Sequence, residues 1–215
     1  MPDTVLPLLL QSYLDELVPD RPPELRAMEA VAVAEGFPII GPACGHFCYV
    51  VARMIGARRV FELGSGFGYS TAWFARAVQE THGAAGEVHH TVWEAELSAR
   101  AERHLRALGL ASQVRFHVGE AVAALADETG GFDLIFSDID KEGYPDSLPV
   151  IERQLLSGGV LIVDNMLWGN RVLDPRIDDP ATAAIRCFTR LVTESPHWAG
   201  SILPLRDGLL LALKA

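Results

Sequence analysis

The chain has 215 residues, 49% of them hydrophobic and 21% charged, with a net charge of −10 and a pI of about 5.1. That length and apolar share suit a single domain with its own core. No apolar run approaches the ~18 residues of a membrane span, and an acidic surface repels phosphate backbones, so neither membrane nor nucleic acid is the expected partner unless a local basic patch overturns the second point.

Met1-Pro2-Asp3 opens without a basic segment, so a secretory signal is not expected. Residues 1–37 read as a helical extension: Leu8, Leu9, Tyr13, Leu14 and Leu17 recur near helical period, and Pro22-Pro23 opens a second helix. FPIIGPACGHF then forms a loop entering another helix. Cys44 and Cys48, four apart on that helix, read as buried free thiols; with Cys187 they make an odd count and no CxxC, which points to a reducing cytoplasm. From residue 38 onward strands and helices alternate: strands at 59–63, 87–93, 114–118, 132–137 and 160–163, helices at 69–79, 97–108 and 121–128, and one containing 148–155. Val/Ile/Leu-rich strands alternating with helices predict an α/β fold, a doubly wound parallel sheet covered on both faces. After a helix over 181–193, strands 201–205 and 209–213 flank Arg206-Asp207-Gly208, and Asp-Gly predicts an antiparallel hairpin at the sheet edge. Trp73 and Phe74 read as core. His89 and His90 lie within a strand and face opposite sides, so no ligand role is expected of them; the seven histidines show no zinc spacing.

The first strand ends in Glu62-Leu63-Gly64-Ser65-Gly66-Phe67-Gly68-Tyr69-Ser70. Glycines between strand and helix let the backbone turn sharply and approach a ligand, and the helix amino end offers N–H groups. Glu94, at the end of the next strand, stands where a doubly wound sheet holds an acid for ribose hydroxyls. Together they predict an adenosine-containing cofactor, NAD or S-adenosylmethionine. Glu62 favours the latter, because an acid there suits a positive amino acid group and would repel a pyrophosphate.

The second cluster lies at two later strand ends: Asp138, Asp140 and Lys141 in IFSDIDK, and Asp164-Asn165 after VLIV. Adjacent strands would bring Asp138, Asp164 and Asn165 together. Three oxygen donors suit a hard divalent cation, Mg²⁺ best. The alternative reading is that the two aspartates are helix caps or turn formers.

ELGSGFGYS, the WEAE acid, FDLIFSDIDKEGY and VLIVDNMLWGNRV resemble the cation-dependent, class I S-adenosylmethionine O-methyltransferases of the caffeoyl-CoA and catechol type, over about residues 36–214. The resemblance implies a Rossmann-like seven-stranded sheet with its last strand antiparallel, and a homodimer. It implies Asp138, Asp164 and Asn165 as ligands of Mg²⁺, or of Mn²⁺ or Ca²⁺. It assigns Glu62, Gly64, Gly66, Gly68 and Ser70 to the methionine side of the cofactor, Glu94 to the ribose, and Gly119, Glu120 and Ala121 to the adenine. Asp140 falls near the cofactor's amino group, and Ile40 in the loop closing over it. Lys141 takes the substrate's proton, and Trp168 lines the acceptor pocket. The plant enzymes hold a CoA ester with aromatic and basic residues on the later helix; here that helix reads ATAAIRCFTRLVTES, with only Arg186 and Arg190 as candidates.

The expected activity is thus methyl transfer to a hydroxyl of a small catechol-like or phenolic acceptor. Three rivals remain. An O-methyltransferase of a hydroxylated tRNA base would need a basic rim, with Arg53, Arg58, Arg59, Arg171 and Arg176 as its candidates. An NAD-dependent oxidoreductase is opposed by the glycine spacing, by Glu62 and by the lack of a YxxxK pair. A non-catalytic binding module would not need the ligand set and Lys141.

Overall fold

The strand segments carry apolar residues on both faces, so they become stable only when helices cover the sheet from two sides. The computed structural model describes residues 8–215; that part of the expected helical extension lying in residues 1–7 falls outside them. Seven strands pair in the order β3-β2-β1-β4-β5-β7-β6, where β1 is Arg59–Leu63, β2 Glu87–Val92, β3 Val114–Val118, β4 Phe132–Ser137, β5 Leu155–Val163, β6 Trp198–Leu203 and β7 Leu209–Lys214. β1 to β5 run parallel; β7 lies antiparallel between β5 and β6. The order reverses between β1 and β4, and such a reversal opens a crevice at the carboxyl ends of the strands.

Successive strand residues point to opposite faces. Val60, Leu134, Phe136 and Ile162 pack on one side beneath α2 (Pro23–Glu35), α3 (Gly41–Met54), α4 (Tyr69–His82) and α5 (Ala95–Ala107). Phe61, Ile135, Leu161 and Leu210 pack on the other beneath α6 (Ala121–Asp127), α7 (Tyr144–Gln154) and α8 (Pro180–Thr193). Trp73 and Phe74 are core residues as expected. Cys44 and Cys48 are buried free thiols, and burial pushes both well above the ordinary thiol pKa, which leaves them inert. α1 (Leu8–Glu16) has no buried residue and exposes Leu8, Leu9 and Tyr13.

Two boundaries differ from expectation. Leu155 begins β5 rather than ending α7, and β5 starts five residues before Val160, since Leu155-Leu156-Ser157-Gly158-Gly159 pairs as strand although its glycines resemble a loop. The hairpin does close the sheet, but β6 spans Trp198–Leu203 and leaves residues 204–208 as the connection.

Candidate active site

The glycine loop is shaped by close approach. Gly64 has φ +84°, and a Cβ there would lie 2.5 Å from the carbonyl oxygen of Asp138. Gly68, at φ +91°, would place a Cβ 2.8 Å from that of Ala101 on α5. Both positions need glycine for space and for dihedral. Gly64→Ala is expected to cost about 2 kcal/mol or more, read as a lowered Tm; an unchanged Tm would mean that the loop relaxes freely.

The loop floors a cavity of about 450 Å³, walled by residues 37–40 and by the ends of β4 and β5. Ile40, Gly64, Gly66, Ser70, Asp138, Asp140, Lys141, Asn165 and Trp168 all line it. Glu62, Gly68, Glu94, Gly119, Glu120, Ala121 and Asp164 do not. Glu94 is exposed at the start of α5. Glu120 has a plain structural role: its carboxylate caps α6 by accepting from the N–H groups of Val122 and Ala123. Glu62 is fully buried under the loop, and burial, opposed by the hydroxyls of Ser70, Thr71 and Ser65, lifts its pKa to about 7. Its Oε2 accepts from Thr71, while Oε1 has no well-aligned donor among the described residues, although the Ser65 and Ser70 hydroxyls stabilise the carboxylate. An orphaned buried carboxylate oxygen suits a cationic ligand group.

Asp138 and Asp164 are brought together by continued strand pairing: Ser137 is in register with Val163, the N–H of Asp138 bonds Leu63 and that of Asp164 bonds Ser137. Asp164 is fully buried, and burial together with the nearby Asp138 charge pushes its pKa up. Arg206 answers that charge, donating Nη1 to Asp164 Oδ2 at 2.8 Å. Burial opposes the Arg206 charge, but Asp164, aided by Asp138 and Asp207, outweighs it. Arg206 lines the cavity where Asp164 does not, so the guanidinium covers the carboxylate. Asn165 donates Nδ2 to Asp207 Oδ2 at 3.2 Å, which leaves its amide oxygen as the atom available to a cation. Asp207 also accepts from the N–H of Gly169 at 2.6 Å. The non-glycine residues at positive φ among those described are Asn165, Trp168, Asn170 and Arg206, all on the two loops at this end of the sheet. Backbone strain of this kind costs about 1–3 kcal/mol per residue and tends to collect at functional sites.

The O-methyltransferase family model matches residues 23–215. The chain belongs to the O-methyltransferase family. A catechol O-methyltransferase of Mycobacterium tuberculosis is 33% identical over 190 residues, spanning 87% of this chain and 84% of that protein. A catechol O-methyltransferase of Niastella koreensis is 28% identical over 212 residues, 94% of each. Among solved structures, an O-methyltransferase of tomaymycin synthesis from Streptomyces achromogenes, in complex with SAM, superposes with a TM-score of 0.86 at 26% identity, covering 96% of both chains.

In this O-methyltransferase Lys141 does not pair with Asp140. It is buried, donating Nζ to Asp138 Oδ1 at 2.8 Å and to the carbonyl of Ile139 at 3.1 Å, 5.8 Å from the ring centre of Trp168. Arg186 is occupied within the protein: its guanidinium donates to the carbonyls of Arg171, Val172, Asp174 and Ile177, pinning the segment after Trp168. The arginines expected to build a basic rim are engaged separately. Arg53 pairs with Glu80, Arg59 with Glu87, Arg171 with Asp179 and Arg176 with Asp174, while Arg58 donates to the carbonyl of Ala85. The sequence marks Arg206 and Asp207 only as turn residues; in the structure Arg206 adopts φ +53°, a conformation uncommon for arginine.

Proposed function

We propose that this O-methyltransferase transfers a methyl group from S-adenosylmethionine to one hydroxyl of a small catechol-like or phenolic acceptor, with divalent-cation assistance. The observation that carries the reading is a single cavity in which the glycine loop meets Asp138, Lys141, Asn165 and Trp168. The named catechol O-methyltransferase relatives support the acceptor class.

S-adenosylmethionine supplies an electrophilic methyl on its sulfonium sulfur. The glycine loop lets the backbone approach it, and Glu62 Oε1 suits its amino group. Trp93 and Val118, exposed at the ends of β2 and β3, offer apolar cover to an adenine. The acceptor oxygen forms a bond to the methyl carbon as the carbon–sulfur bond breaks, and the hydroxyl proton must leave. A phenol has a pKa near ~10, so its ionised form needs help at neutral pH. An ammonium has three donors. As an ammonium, Lys141 uses two, on Asp138 and Ile139, and its third can hold the ionised acceptor oxygen; only as a neutral amine, with a lone pair in place of that third hydrogen, does Lys141 take the hydroxyl proton and become the ammonium.

Asp138, Asp164 and Asn165 are the residues that would hold a Mg²⁺ or similar cation, which would supply further stabilisation of the ionised hydroxyl. The oxygen set fits, with Arg206 as a resident competitor for Asp164. The uncovered apolar residues of α1 favour a homodimer, and the broken-up arginine set disfavours a tRNA acceptor.

The test is methyl transfer to a panel of caffeate, its CoA ester, dihydroxybenzoate and simple flavonoids, with Mg²⁺ and with EDTA. Turnover of a vicinal diol is the expected result. Donor binding with no turnover of any catechol would send the search to hydroxylated tRNA; tight NAD binding without S-adenosylmethionine binding would revive an oxidoreductase.

A further inference from the structure

Away from the cavity, three side chains converge on the sheet face beneath α6. His89 comes from β2, His117 from the edge strand β3, and Glu128 from the segment that follows α6. His89 Nδ1 lies 3.0 Å from His117 Nε2 and 3.5 Å from Glu128 Oε1, and His117 Nε2 lies 3.9 Å from that same oxygen. Donors bonded at about 2.1 Å to a tetrahedral ion lie about 3.4 Å apart, so these three atoms form a face of ligand size. None of the three residues lines the cavity.

The surroundings orient the set. The other ring nitrogen of His89, Nε2, lies 3.1 Å from Glu87 Oε1. Glu87 is itself held by Arg59 at 2.7 Å and by Arg115 at 2.8 Å. A histidine whose outer N–H is fixed by a carboxylate turns its other nitrogen, with a lone pair, toward the centre; carboxylate–histidine pairs behind metal ligands work this way. The three facing atoms share a single hydrogen: His117 can give it to His89 Nδ1 at 3.0 Å, and Glu128 Oε1 then draws none from either ring, while Glu128 Oε2 lies 3.7 Å from Arg59 Nη2. A cation at the centre satisfies all three atoms. His89 is fully buried and packed against Phe61 and Phe132, while the side chains of His117 and Glu128 keep 25% and 20% exposure, which leaves a route for an ion and its remaining water. Burial holds both imidazoles below the ordinary histidine pKa, and the neutral ring is the ligating form.

We propose that His89, His117 and Glu128 form a second metal site, of a class that takes Zn²⁺, and that the ion ties the edge strand β3 to β2 and to the segment entering β4. Two imidazoles and one carboxylate select a borderline first-row cation, whereas the all-oxygen set at Asp138, Asp164 and Asn165 selects Mg²⁺. The sequence shows no zinc spacing because the ligands come from three separate elements.

The experiment is calorimetric titration of EDTA-stripped, dialysed protein with Zn²⁺ in excess Mg²⁺, paired with the visible spectrum of the Co²⁺-loaded protein. One equivalent of Zn²⁺ and a Co²⁺ absorption band are expected for the wild type. His117→Gln and Glu128→Gln should each weaken Zn²⁺ at least tenfold and remove the band, with circular dichroism and S-adenosylmethionine binding preserved. No Zn²⁺ uptake by the wild type, or equal uptake by both variants, overturns the site. Uptake that Asp164→Ala abolishes and His117→Gln does not would assign the ion to the oxygen cluster instead.

Discussion

Asp164→Ala is expected to lower kcat by about a thousandfold or more while changing S-adenosylmethionine affinity only a few-fold. Asp164 does not line the cavity, so the donor loses no contact with it. What the variant removes is charge. On the proposed reading Asp164 is one of three residues that would hold a cation, and it is the carboxylate to which Arg206 donates at 2.8 Å. Loss of one preorganised stabiliser of a developing oxyanion typically costs about 10²–10³ in rate. On the proposed reading the variant would lose the cation and the orientation of Arg206 together, which places the expected effect at the upper end. Single-turnover kinetics with saturating donor is the measurement. Because a buried charge left without its partner costs about 3–5 kcal/mol, Asp164→Asn, which keeps the shape, should be run alongside and should show the same rate loss. Near-normal turnover by Asp164→Asn would end the cation model.

The strands are legible because apolar runs admit few alternatives, and the second site cluster because charges are out of place at the end of such a run. The strand ends point to Asp138 and Asp164 in that way, and the registered pairing of β4 with β5 brings the two together. Other contacts had no local trace. Arg206 lies 42 residues from Asp164, and Asp-Gly speaks so strongly for a turn that the buried Asp207 beside it drew no notice, although it holds both Asn165 and the N–H of Gly169. Glu128 meets His89 only because α6 folds back across the sheet, a distance no residue spacing encodes. The early start of β5 was hidden by Gly158 and Gly159, where the two glycines resemble a turn while the backbone continues to pair. Local pattern therefore exposes what a strand end carries, whereas contacts across loops require the fold.

Arg206→Gly is expected to tighten Mg²⁺ binding at least tenfold. Within the site, Lys141 pairs with Asp138 and Arg206 with Asp164, so each carboxylate already faces a resident cation before a divalent ion arrives. A divalent ion must enter against both. One unit charge about 5 Å away contributes about 3 kcal/mol at an effective dielectric near 20, so removing the guanidinium should tighten Mg²⁺ at least tenfold even after screening. Glycine is the right replacement because Arg206 sits at φ +53°, where glycine carries no steric penalty. The same change leaves Asp164 buried without that guanidinium, so in EDTA the variant should lose several degrees of Tm and regain them with Mg²⁺. Thermal unfolding with and without Mg²⁺, together with calorimetric titration, measures both effects without an activity assay. If Mg²⁺ affinity and the EDTA response match the wild type, Arg206 swings clear of Asp164 when the cation binds and is no competitor. If the variant binds Mg²⁺ tightly but turns over slowly, the guanidinium itself helps to hold the ionised acceptor, and the cation and Arg206 act on the same oxygen.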